Sequence, residues 1–182
     1  LSSHFPDDFI YSEETASQDL KGSYPVGSRV WIIDPLDGTK SFIHGDDDFS
    51  ILVCLVEQHQ PILGFMFFPA RDEFAIGRVG QGAWLNGKRL AVSNRKEPKE
   101  NSLYLRHLAI GSDKTVYSKW MDSGCALLSV CRGDFDGAII RIVNHREWDL
   151  AAPSIIIRES GGMVSDENGA PILFDRIEGK SE

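Results

Sequence analysis

Long apolar runs are missing from these 182 residues, and no stretch approaches the ~18 that a membrane-crossing helix needs. A basic surplus is missing too. Nineteen Lys and Arg stand against 27 Asp and Glu, a formal net charge of −8. A duplex nucleic-acid binder needs a basic face to meet phosphates, so that class is disfavoured. Cysteine is scarce and odd in number. Cys54, Cys125 and Cys131 have neither zinc-site spacing nor an even count for a disulfide framework. They read as small buried hydrophobes in a reducing cytoplasm. Residues Leu1 to Asp8 carry no basic n-region or apolar h-region, so no signal peptide is expected. What remains is a chain of single-domain size, residues 1–182, with a cytoplasmic setting and neither membrane nor nucleic-acid polymer as partner.

What is present centres on Trp31-Ile-Ile-Asp34-Pro35-Leu36-Asp37-Gly38-Thr39. Val30 to Ile33 read as a short buried strand that stops at Pro35, which has no N–H for a central ladder. A strand end delivers side chains to one point, so Asp34 and Asp37 can converge there, with the Leu36 carbonyl freed from pairing. Oxygen ligands of this kind suit a hard cation such as Mg²⁺. Gly38 lets a ligand approach the backbone, the N–H groups that follow can hold a phosphate, and the Thr39 hydroxyl can orient a water. One rival phosphatase chemistry fails on spacing. The haloacid dehalogenase pattern sets its nucleophilic Asp two residues before the second Asp, and position 35 is Pro.

Around this stretch the chain punctuates itself. Phe9–Tyr11 reads as a strand ending at Ser12-Glu13-Glu14. Residues 16–29 read as a polar loop, and His44 and Asp46–Asp48 as solvated loop surface. Phe49–Val56 and Pro61–Phe68 form a hairpin pattern, Glu73–Arg78 a third strand, and Asn86-Gly87 turns a further hairpin. Residues 93–101 are charged and divide the chain into subdomains of roughly 1–95 and 102–182. Ser102–Arg106 reads as a strand and Ser123–Cys131 as an apolar helix stopped by Gly133. Gly137–Val143 reads as a buried strand whose Arg141 is either salt-bridged or turned to a substrate. Asp149 opens a helix with Pro153 in its first turn and Gly161 at its end. Met163–Ser165 and Pro171–Phe174 read as strands around Asn168-Gly169. That turn lacks the alternating acidic ligands of an EF-hand.

Asp34-Pro-Leu-Asp-Gly-Thr39 resembles the signature of the inositol monophosphatase superfamily. Glu13-Glu14 after a short strand resembles its second motif. Trp148-Asp149-Leu-Ala-Ala152, a helix and Gly161-Gly162 resemble the third, and the hairpin at Gly80–Gly87 also matches. The resemblance runs from about Phe5 to Phe174. It implies an α/β (α+β) fold, a layered αβαβα sandwich without the usual N-terminal helix pair and last strand and helix. Either the chain is part of a longer one, or one sheet face lies open as an association surface. The resemblance further implies metal ligation by Glu13, Asp34, the Leu36 carbonyl, Asp37 and Asp149. Two or three Mg²⁺ ions would offset that charge, with the metals ~3.5–4 Å apart. Glu13, Asp37 and Thr39 would be catalytic, and Gly38 and Thr39 would hold the phosphate. Asp122, Ser123, Gly124 and Arg141 are substrate-side candidates. The implied activity is hydrolysis of a small-molecule phosphate monoester of the inositol phosphate type, by a homodimer. Ser-Glu-Glu and Asp-Pro-Leu-Asp-Gly-Thr-Lys also resemble 3′(2′),5′-bisphosphate nucleotidases, and Thr-Lys-Ser-Phe histidinol-phosphate phosphatases. A non-catalytic metal-binding or assembly relative is the alternative of another class.

Overall fold

The computed structural model describes residues 1–15, 24–25, 27–106, 108, 114–117, 120–141 and 146–174. Most of the expected polar loop and of the passage before Met121 therefore lies outside the described residues. The elements, in order, are β1 (Phe9–Ser12), β2 (Arg29–Asp37), α1 (Thr39–His44), β3 (Ser50–Glu57), β4 (Gln60–Phe68) and β5 (Glu73–Arg78). They continue with β6 (Gly82–Leu85), β7 (Lys88–Arg89), β8 (Leu103–Arg106), α2 (Ser123–Cys131), β9 (Gly137–Ile140) and α3 (Glu147–Glu159). β1 to β7 form one sheet in sequence order, antiparallel except for the β1–β2 pair, and β8 and β9 form a parallel pair. Among the described residues no helix is long and apolar enough to cross a membrane.

The tight turns follow local chemistry. Gln58 and His59 both take positive φ between β3 and β4, as do Asn86 and Gly87 between β6 and β7. Two consecutive positive-φ residues match the right-handed twist of a two-residue hairpin.

One face of the large sheet carries Val30, Ile32, Leu52, Cys54, Val56, Met66, Phe68, Ala75 and Ala83, all buried. Ala151, Ala152, Ile155 and Ile156 of α3 and Leu128 of α2 complete this core. Cys54, Gly64, Gly77 and Ala83 stand opposite one another on four neighbouring strands. Their small side chains leave a furrow in which α3 lies. A Cβ on Gly64 would come within 2.8 Å of the Ala152 carbonyl, and one on Gly77 within 2.9 Å of the Ile156 Cα. Gly64→Val should therefore push α3 off the sheet and destabilise the fold by about 1–3 kcal/mol or more. A lowered urea midpoint with unchanged slope would register this; an unchanged midpoint would refute the furrow argument.

The opposite face is also apolar. Ile33, Val53, Phe65 and Ile76 are half-buried there, and Phe74 and Trp84 are 41% and 37% exposed.

Several expectations need correction. β2 does not stop at Pro35 but runs to Asp37. Proline is tolerated because β1 pairs only as far as Ile33, and the β2–β3 register slips between Asp34 and Asp37. Pro153 sits in the interior of α3, not its first turn, because the helix begins at Glu147. It has no N–H to give the Asp149 carbonyl, and packing of the buried Ala152 and Ile156 beside it sustains the helix. β9 ends at Ile140 and is not buried: Ile139 is 57% exposed, and Arg141 is exposed and needs no buried partner. Met163–Ser165 and Pro171–Phe174 are not strands. The Asp166 carboxylate takes the Asn168 and Ala170 N–H groups in a local turn, closed by the Asp166 N–H on the Ala170 carbonyl and the Gly169 N–H on the Asp166 carbonyl. Asp48 is also more than solvated loop, since it pairs with Arg71 at 2.5 Å.

Candidate metal centre

Two aspartates three residues apart on an unbroken strand face opposite ways. Here Asp34 pairs with Leu52 and Asp37 with Ser50, so β2 carries one extra residue over that interval. This bulge at Pro35-Leu36 returns Asp37 to the same face as Asp34. The Leu36 N–H donates to Asp34 Oδ1 at 2.9 Å and holds the turn. Gly38 follows at φ 82° and starts α1. A side chain there would strike the Asp48 carbonyl and crowd the Asp122 carboxyl, so glycine is required by both backbone and space. Thr39 is exposed, and its hydroxyl donates to the Leu36 carbonyl at 3.0 Å.

Three further elements end at this point. The Glu13 N–H donates to the Ile33 carbonyl at 3.1 Å, continuing the β1–β2 ladder and setting Glu13 beside Asp34. Asp149 lies in the first turn of α3, where Oδ2 accepts the Arg146 N–H at 2.5 Å. Asp122 caps α2 by accepting the Gly124 N–H at 3.2 Å. Two helix N-termini thus point their positive ends at the carboxylates.

Carboxylate oxygens of Asp34, Asp37 and Asp149 all lie within 4.8 Å of one another. Asp34 and Asp37 are only 1% and 6% exposed. Glu13 and Asp149 lie beside Asp34, and Asp122 lies beside Asp37. The result is a row of five carboxyls, with Glu13 at one end and Asp122 at the other. Burial, reinforced by Glu13 and Asp149, pushes Asp34 up to about 8 against the pull of the Leu36 N–H. Burial also raises Asp149 to about 6 and holds Asp37 well above the carboxylate range, with Asp122 and Asp34 adding to the rise at Asp37. Such displacements mark carboxylates collected without a counter-charge.

Other expected residues distribute as follows. Gly124 backs onto Asp37, and a Cβ there would collide with its Oδ2 and lie 2.9 Å from the Ser50 hydroxyl. Ser123 is buried at the start of α2. Arg141 stands past the end of β9, its N–H bonded to the Arg106 carbonyl at 3.1 Å, and no contact joins its side chain to the carboxyl row among the described residues. Sequence reasoning missed Ser50, whose hydroxyl donates to Asp37 Oδ2 at 3.2 Å. It underrated Asp122. A helix-capping aspartate has a sufficient local reason to exist, which masks any other role.

Comparison with known proteins agrees with this geometry. The model of the inositol monophosphatase family matches residues 1–179. A fructose-1,6-bisphosphatase/inositol-1-monophosphatase of Thermotoga maritima is 34% identical over 182 aligned positions, covering 91% of this chain. A Nus factor SuhB of Pasteurella multocida is 30% identical, again over 91% of this chain. The chain spans 64% and 65% of these relatives' lengths. The solved inositol monophosphatase of Anabaena superposes with a TM-score of 0.79 at 27% identity, covering 93% of this chain and 71% of the other.

Proposed function

The chain belongs to the inositol monophosphatase family, and from that premise we propose that it hydrolyses a small-molecule phosphate monoester, of the inositol phosphate type, with Mg²⁺ bound at the carboxylate row. The observation that carries the reading is the convergence of Asp34, Asp37 and Asp149 within 4.8 Å, walled in by protein. That is more negative charge than a protein buries without cations. The donors fit the group: they are all oxygens, and Mg²⁺ is a hard, oxygen-seeking ion. Glu13, Asp34, the Leu36 carbonyl, Asp37 and Asp149 would hold two or three such ions. When bound, Mg²⁺ supplies charge to the phosphate oxygens and the leaving alkoxide and makes water a better nucleophile.

The chain's own residues do the positioning. Glu13 sits at the exposed end of the row, where it can accept a hydrogen bond from the attacking water. The Thr39 hydroxyl already donates to the Leu36 carbonyl, which turns its oxygen lone pairs outward to accept from the same water. Gly38, lacking a side chain, leaves the first turn of α1 open to the phosphate oxygens. Water then attacks phosphorus in line, its P–O bond forming as the ester P–O bond breaks; the water's proton passes to Glu13, and the leaving alkoxide takes a proton from solvent and departs as the alcohol. No covalent phosphoenzyme is required.

Thr39→Val keeps the shape and deletes the hydroxyl. It should lower kcat about a hundredfold with little change in KM, the scale of one lost positioning interaction on the attacking water. An unchanged kcat would remove Thr39 from the mechanism.

The substrate class is tested by phosphate release with Mg²⁺ over a panel: inositol 1-phosphate, fructose 1,6-bisphosphate, 3′-phosphoadenosine 5′-phosphate and histidinol phosphate. Release from inositol 1-phosphate, abolished by EDTA, is the expected result. Preference for the nucleotide or histidinol phosphate would move the chain to one of those branches. The kinship with a Nus factor favours a second reading, a binding or assembly role. Mg²⁺ uptake without release from any panel member would support it.

A further inference from the structure

Two pieces of backbone close in on the carboxyl row. The loop between α1 and β3 packs on Gly38 so tightly that a Cβ there would come within 2.5 Å of the Asp48 carbonyl and 3.0 Å of the Phe49 Cα. From the other side Gly124, in the first turn of α2, backs onto Asp37 and the Ser50 hydroxyl with no room for a Cβ. The phosphate-holding turn and one carboxylate of the row are thus each set by a backbone surface pressed against them.

One side chain holds both surfaces. Arg71 lies in the single helical turn Pro69–Arg71 between β4 and β5. Its Nη2 donates to Asp48 Oδ1 at 2.5 Å, to the Asp47 carbonyl at 3.3 Å and to Cys125 Sγ at 2.8 Å. Asp47 and Asp48 belong to the loop that presses on Gly38, and Cys125 follows Gly124. The guanidinium stands over the wholly buried Phe68 ring, 5.5 Å from its centroid, so the core fixes the cation from beneath. As a support for the fold the ion pair is weak: its partners are 26% and 28% exposed, and solvent screens such a pair. What the planar guanidinium supplies is geometry, because its donor directions are fixed.

We propose that Arg71 is a positioning residue for the hydrolysis, a clamp that sets the Asp48 backbone against Gly38 and the first turn of α2 against Asp37. The inference rests on the phosphatase reading of the carboxyl row. Arg71 bonds to none of the row's carboxyls and acts through the two segments it ties together. Loosening it lets the phosphate-holding turn shift relative to the row while every carboxylate stays in place. A misplacement of ~1 Å far from the chemistry can cost about a hundredfold in rate. The loss therefore falls on the reacting geometry and not on substrate or cation binding.

The test compares wild type, Arg71→Met, Arg71→Lys, Asp48→Ala and the double variant Arg71→Met/Asp48→Ala. The readouts are kcat and KM in Mg²⁺ for inositol 1-phosphate, or for whichever panel member the wild type releases fastest, and the thermal midpoint. Methionine keeps an apolar stem over Phe68 and deletes the donors. Arg71→Met should lose about tenfold or more in kcat with KM changed less than about twofold. Its midpoint should fall by no more than about 4 °C, the scale of one screened ion pair. Arg71→Lys, still able to reach Asp48, should recover part of the rate. Asp48→Ala loosens the same clamp from its other end, and it carries the test if Arg71→Met does not fold. The double variant should be no slower than Arg71→Met, because the two residues act as one unit. Wild-type kcat in the single variants, a loss confined to KM, or losses that multiply in the double variant would overturn the inference and leave the phosphatase reading standing. No phosphate release by the wild type from any panel member would overturn both.

Discussion

Asp34→Asn should abolish phosphate release while raising the thermal midpoint of the metal-free protein. The two effects have one cause. Asp34 is 1% exposed and lies beside Glu13 and Asp149, so folding must either bury its charge or keep it protonated, and either costs stability. Asparagine is nearly the same shape and keeps an oxygen for the Leu36 N–H, the bond that shapes the bulge. It removes a carboxyl whose ionisation burial opposes, as do Glu13 and Asp149. It also removes an anionic cation ligand. A fall in kcat/KM of about a thousandfold or more corresponds to about 4 kcal/mol of lost transition-state stabilisation. The midpoint should rise by about 2–4 °C for each kcal/mol relieved in a domain of this size. Melting curves in EDTA and a phosphate assay in Mg²⁺ check both. A destabilised but active variant would mean that Asp34 is a structural residue.

The second large effect is on pH. Asp34 is held near 8 and Asp149 near 6, and Asp37 and Asp122 also lie above the usual carboxylate range, all chiefly through burial. In the unfolded chain these groups titrate near ~3.9. Between that value and their folded values the native state binds more protons, so stability falls as pH rises. The metal-free fold should thus lose stability as pH rises above the ordinary carboxylate range. It should weaken progressively through about 6, where Asp149 ionises, and about 8, where Asp34 does. Each tenfold gain in a carboxyl's proton affinity on folding corresponds to about 1.4 kcal/mol, so the loss across the whole span amounts to several kcal/mol. Mg²⁺ should reverse the trend, because it binds the ionised carboxylates of the native state and competes with their protons. Its stabilising effect should therefore grow with pH. Thermal midpoints measured across this range with EDTA and with Mg²⁺ should diverge upward in pH. Parallel curves would show that the row does not hold the ion.

The sequence made the strand and hairpin pattern readable because local chemistry fixed it. Asn86-Gly87 can hardly be other than a tight turn, and Glu73–Arg78 is the β5 strand to the residue. The signature at Asp34–Thr39 likewise carried its own context. What the sequence did not disclose depended on partners distant in the chain. Pro35 looked like a strand end, since nothing local shows that β1 stops pairing at Ile33 and that β3 accepts a bulge opposite. Yet that bulge is what brings Asp34 and Asp37 to one face. Nothing local distinguishes Gly64 and Gly77; only strand register aligns them beneath α3. Arg141 looked buried from its apolar neighbours, but β9 belongs to a two-stranded pair with one exposed side. Asp122 was legible only as a substrate-side candidate, because its neighbour at the site, Asp37, lies far away in the chain.

The most direct test of the central claim is a crystal structure of the protein grown with Mn²⁺, read through its anomalous scattering. The account predicts strong peaks between the carboxylates of Asp34, Asp37 and Asp149, with Glu13 and the Leu36 carbonyl turned toward them. Absence of anomalous density at those carboxylates, with Mn²⁺ present at saturating concentration, would contradict the assignment of this row as a metal centre.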